Sequence, residues 1–108
     1  MRRKKAVSYE EGLLERLKDP GYAAEYLNAH LDQDDEEAFE TFLLALRDVA
    51  TAHGMTEISK KTKLGRESLY KSLSKSGNPK ISTLTALLET MGLKLVIEAK
   101  PRRKKKAS

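Results

Sequence analysis

From residue 9 onward, apolar residues return every three or four positions, in blocks separated by Gly, Pro or acidic residues. That spacing is the period of an amphipathic helix. The first block, 9–17, places Leu13, Leu14 and Leu17 on one side. Lys18-Asp19-Pro20 stops it and opens the next, because Asp19 can cap a helix whose first position is proline. The second block, about 20–31, offers Tyr22, Ala23, Tyr26, Leu27 and Leu31. Asp34 and Asp35 are placed to cap a third helix of about 36–53. Its core stripe is Phe39, Phe42, Leu43, Leu46, Val49 and Ala50, and Gly54 ends it.

Shorter elements follow. Thr56 is expected to cap a helix of 56–62 with Ile58 inward. A turn at Lys63-Leu64-Gly65 leads into a helix from Arg66 whose inward residues are Leu69 and Leu73. Ser82 is expected to cap a helix of about 83–91, buried through Leu84, Leu87, Leu88 and Met91, with Gly92 closing it. The last segment, 93–99, changes character. Its Leu93, Leu95, Val96 and Ile97 are aliphatic and partly β-branched, which predicts one strand. A lone strand leaves its backbone groups unpaired. The expected partner is another chain, either a second copy or the sheet of a different protein, and with a second copy these four residues are the dimer contact. A tail packed on its own domain is the alternative.

Composition then narrows the class. The chain has 108 residues and no cysteine, which allows one domain with tails and excludes disulfides and thiolate metal sites. No apolar run reaches the roughly 20 residues that span a bilayer. The basic N-terminus is not followed by an apolar stretch, so it does not read as a signal peptide. The expectation is a cytoplasmic protein without membrane contact.

Charge is divided along the chain. Residues 6–54 hold 3 Lys or Arg against 12 Asp or Glu, and residues 55–99 hold 8 against 4. Residues 1–8 form a basic arm, and residues 100–108 a basic tail with Lys100, Arg102, Arg103, Lys104, Lys105 and Lys106. Such asymmetry predicts two surfaces with different partners. Basic surface draws phosphate and acidic surface draws basic protein.

The two short helices within 55–74 and their three-residue turn have the form of a helix-turn-helix. Ser59 takes the position where a small side chain lets the helices approach, and Leu64 plugs the turn. With Leu69 facing inward, Arg66, Glu67, Tyr70 and Lys71 face outward. In this motif the start of the second helix enters the major groove. There Arg66 can hold guanine and Glu67 can accept from cytosine. Ser68, Tyr70, Lys71 and Ser72 can instead hold phosphates. Thr56, at the start of the first short helix, and the loop residues Lys75, Ser76, Asn78 and Lys80 complete the expected contact with double-stranded operator DNA.

Five segments carry a family resemblance. They are Asp19-Pro-Gly-Tyr-Ala-Ala-Glu-Tyr-Leu-Asn-Ala, Phe42-Leu-Leu-Ala-Leu-Arg-Asp-Val-Ala, Gly65-Arg-Glu-Ser-Leu-Tyr-Lys-Ser-Leu-Ser, Gly77-Asn-Pro and Ser82-Thr-Leu. In this order they resemble the addiction-module antidote family, HigA-like antitoxins with an Xre/Cro-type helix-turn-helix. The likeness spans about residues 9–97. It implies an all-α, Xre/Cro-like bundle with extra N-terminal helices and one C-terminal strand. It also implies an antitoxin that neutralises a small basic toxin of the RelE/ParE type and, as a dimer, represses its own operon. The DNA positions it implies are Arg66, Glu67, Ser68, Tyr70 and Lys71. It assigns no toxin contact. The chain departs from the pattern in the turn, where Lys63 stands in place of the usual glycine and Gly65 in place of a polar cap. A non-glycine residue at positive φ costs about 1 kcal/mol, so either Lys63 bears that geometry or Gly65 supplies the flexibility.

Rival readings are a stand-alone prophage or chromosomal repressor without a toxin, and a protein inhibitor that has lost DNA binding. Catalysis has little to stand on. His30 and His53 lie on separate helices with no ligand spacing, and His53 fits a helix C-terminus as a dipole partner. Ser59, Ser68, Ser72 and Ser74 have no adjacent base. No catalytic residue, metal ligand or cofactor site is assigned.

Overall fold

We describe a computed structural model, which covers residues 11–33 and 36–100. These residues form six helices: α1 (11–17), α2 (Pro20–Leu31), α3 (Ala38–His53), α4 (Met55–Thr62), α5 (Arg66–Ser72) and α6 (Ile81–Thr90). The basic arm 1–8, the caps expected at Asp34 and Asp35, and the tail beyond Lys100 lie outside the described residues.

Asp19 works as its position predicts. Its Oδ2 accepts the Tyr22 N–H at 2.9 Å, and Pro20 occupies the first turn of α2. The side-chain cap fills a donor that the helix itself cannot satisfy. Ala23 and Leu27 then turn inward beside Leu17 of α1. Helices α2 and α3 pack as a hairpin, and the Tyr26 hydroxyl donates to Asp48 Oδ2 at 2.8 Å across it. Phe42, Leu43, Leu46, Val49 and Ala50 fill the core from α3. Phe39 and Leu31 do not join them. They are 44% and 43% exposed, because they sit at the loop end of the hairpin, where each facing helix has run out.

Gly54 makes the corner between α3 and α4. At φ 104° its N–H closes α3 on Ala50 O at 2.9 Å, while its carbonyl accepts the Ile58 N–H at 3.1 Å. One residue thus ends one helix and opens the next. This displaces the cap expected at Thr56: α4 begins at Met55, and Thr56 is an exposed first-turn residue. Ser82 is displaced likewise, since extended Lys80 precedes α6 and no side chain caps it. Gly92 closes α6 as expected, at φ 80°, with Leu93 N–H bonded to Leu88 O at 2.8 Å. That six-to-one bond satisfies a carbonyl at the helix end. Leu84, Leu87, Leu88 and Met91 are buried from this helix and its end.

The C-terminal segment is expected from its sequence to pair as a strand with another chain. No strand is present among the described residues, and 93–100 form no ladder. A strand exists only through a partner's hydrogen bonds, and within one chain no other segment is extended beside it. Leu93 packs against the chain's own core, while Leu95, Val96 and Ile97 stay in solvent.

Candidate nucleic-acid interface

Lys63 resolves the turn between α4 and α5. It sits in the left-handed region at φ 64°, ψ 21°, whereas Gly65 is extended at φ −69°, ψ 152°. The chain therefore bears the strained position with a lysine. Two hydroxyls on α4 hold the turn in compensation. Ser59 donates to the Leu64 carbonyl, and Thr62 donates to the Ile58 carbonyl at 2.7 Å. Leu64 packs half-buried against the core.

Helix α5 is anchored from below by Leu69, and Leu73 just past its end is buried as fully. A helix of 3.6 residues per turn with Leu69 inward turns positions 67, 68 and 71 away from the core, whereas Arg66 stands free at the helix start, one turn before Leu69. Arg66, Glu67, Ser68 and Lys71 are indeed exposed. So are Lys60 and Lys61 on α4, Lys63 in the turn, and Lys75 and Lys80 beyond α5. None of these cations makes an ion pair among the described residues. Asn78 joins Ser68, Lys71, Ser72, Ser76 and Gly77 around an open polar hollow of about 370 Å³. Gly77 permits this loop: a Cβ there would lie 2.1 Å from the Ser72 carbonyl oxygen.

Tyr70 is placed differently from its neighbours on α5. It is half-buried, packed against the core, with the Arg47 guanidinium 5.1 Å from its ring centroid. Arg47 belongs to α3 and was not among the residues that motif reading placed at this surface. Its signal was compositional, since it is the only Lys or Arg between Lys18 and Lys60.

His53 also reads differently in three dimensions. Burial first, then the positive charges of Lys18 and Lys61, hold its pKa below the ordinary value. Its Nε2 is buried and meets no partner among the described residues. Both effects favour the neutral ring, while His53 stands in the last turn of α3 as the sequence places it. Among the described residues no group of three or more His, Asp or Glu is placed to hold a metal. No helix among them is long and apolar enough to cross a membrane.

Among the described residues, fold and surface together define a small helical protein of divided charge, with exposed lysines on α4, α5 and their turn and acidic residues along the α2–α3 hairpin. A family described as "Probable addiction module antidote protein" matches residues 10–99. The chain belongs to that family of addiction-module antidotes. It is also 36% identical over 73 residues to an "Uncharacterized protein" of Haemophilus influenzae, an alignment covering 68% of this chain and 72% of that one. No solved structure matches the chain.

Proposed function

We propose that this antidote is a sequence-specific DNA-binding antitoxin that represses its own operon and neutralises a RelE/ParE-type toxin in the bacterial cytoplasm. The observation that carries the DNA reading is the complete burial of Leu69, which turns Glu67, Ser68 and Lys71 to solvent, with Arg66 exposed beside them at the start of the helix. Helix α4, α5 and their turn act as a helix-turn-helix of the Xre/Cro type, with α5 in the major groove. Arg66 and Glu67, in the first turn of α5, read base edges. Lys71, Ser68, Asn78 and Lys80 hold phosphates, the hollow shared by Ser68, Lys71 and Asn78 taking one of them. Thr56, on the first turn of α4, touches the flanking backbone.

The toxin reading rests on family membership and on charge. Between Asp19 and Leu46 the chain has no Lys or Arg, so the α2–α3 hairpin presents an acidic surface to a basic protein. Leu31 and Phe39 add exposed apolar area at its loop end. Dimerisation through Leu95, Val96 and Ile97 supplies the second half-site reader and pairs the segment that one chain leaves unpaired.

The test is a gel shift with the duplex upstream of the chain's own reading frame. The wild-type chain retards it, and the double variant Arg66→Ala/Lys71→Ala does not. Retention of the full shift by that variant refutes the assigned face.

A further inference from the structure

The pairing of Arg47 with Tyr70 has no place in the scheme above. We propose that Arg47 is a phosphate contact of the same interface, held in position by the ring of Tyr70. The inference rests on the DNA reading and extends the contact surface from the helix pair onto α3.

Stacking is what makes Arg47 available. A guanidinium over an aromatic face is attracted through the ring's negative face and spends none of its N–H groups. Those donors point from the edge of the planar group and match two phosphate oxygens at once. Arg47 makes no ion pair among the described residues, and neighbouring Asp48 gives its carboxylate to the Tyr26 hydroxyl. The guanidinium is thus half-buried, restrained and still rich in donors.

Position explains why the target is backbone rather than base. Tyr70 follows Leu69 directly, so its ring leaves the core at the rim of α5 and not on the outer face. Arg47 reaches that rim from a helix outside the α4–α5 pair. It flanks the element that enters the groove, where the phosphates run. Tyr70, expected from sequence to touch DNA itself, becomes a positioning residue acting through Arg47.

Fluorescence anisotropy on the full chain tests this, with the promoter duplex and a scrambled duplex, each over a range of salt. Arg47→Ala should weaken both duplexes about equally and flatten the plot of log affinity against log salt by about 0.9, the increment for one phosphate. Tyr70→Leu should reproduce most of that loss. The double variant Arg47→Ala/Tyr70→Leu should be no worse than Arg47→Ala, because the two residues act as a unit. Tyr70→Phe keeps the ring and should bind as wild type. If Arg47→Ala does not fold, Arg47→Gln carries the same slope measurement. An unchanged slope, a loss confined to the promoter duplex, or losses that multiply in the double variant would each overturn the role of Arg47. Absence of wild-type binding to either duplex overturns the DNA reading itself.

Discussion

The Ser59 hydroxyl donates to the carbonyl oxygen of Leu64, tying the middle of α4 to the turn that launches α5. Sequence spacing accounts for a small residue at position 59, but the bond adds a second reason for a serine. Ser59→Ala keeps the close approach and removes the bond. We expect it to cost about 1 kcal/mol, the net worth of one such bond, read as a lower urea midpoint with unchanged slope.

Lys63 carries the only positive φ outside glycine among the described residues. Its side chain is exposed, so its removal takes no packing away. Lys63→Gly relieves the left-handed strain and returns part of the gain as unfolded-chain entropy. We expect a net stabilisation of about 0.5 kcal/mol, measured by urea unfolding at high salt so that the lost charge does not contribute.

Gly77 allows its loop to lie against the end of α5. The nearest atom to an added Cβ is backbone, the Ser72 carbonyl oxygen at 2.1 Å, and backbone cannot swing aside as a flexible side chain could. Gly77→Ala therefore has to displace the loop from α5, with a cost of about 1–3 kcal/mol by analogy with overpacking. Thermal unfolding followed by circular dichroism should show the lowered midpoint.

His53 makes stability depend on acid. Its folded pKa lies below 6.5, through burial and then through Lys18 and Lys61. Above 6.5 the ring is neutral in both states. As pH falls through 6.5 the unfolded chain takes up the proton while the folded chain resists it, so stability drops. The drop continues until the folded ring also titrates. Urea midpoints at pH 7.5 and pH 5.5 should fall further in wild type than in His53→Gln. Equal falls would remove the ring from the account.

The proposed dimer contact is open to a direct measurement. Val96 and Ile97 are 58% and 92% exposed, so charging them does not disturb the chain's own core. Val96→Asp/Ile97→Asp should shift a wild-type dimer to monomer in sedimentation velocity while the helical circular dichroism is retained. A wild-type chain that sediments as a monomer removes the dimer from the proposal.

Local signals were legible where the physics is local. Asp19 before Pro20, and the glycines at 54 and 92, each state a backbone requirement that neighbours along the chain meet. Buried stripes in α3 and α6 were legible because helical period alone places Leu43, Leu46, Val49, Leu84, Leu87 and Leu88 on one side. Thr56 and Ser82 misled because a capping side chain is only one way to begin a helix. The abrupt backbone at Gly54 and the extended Lys80 start α4 and α6 earlier, leaving both hydroxyl residues inside the first turn. The strand expected at 93–99 needs hydrogen bonds from another chain, which side-chain preference along one chain does not supply.

Along one dimension, then, amino-acid order was enough to set the helices, the corner at Gly54, the inward face of Leu69 and the split of charge between the two halves. Each of these depends on residues within a few positions of one another. Folding in three dimensions was required to bring Arg47 over Tyr70, to bury His53 Nε2 with no partner among the described residues and to expose Phe39. Those outcomes depend on which helix lies beside which and where each stops, and a hydrophobic period carries no information about either.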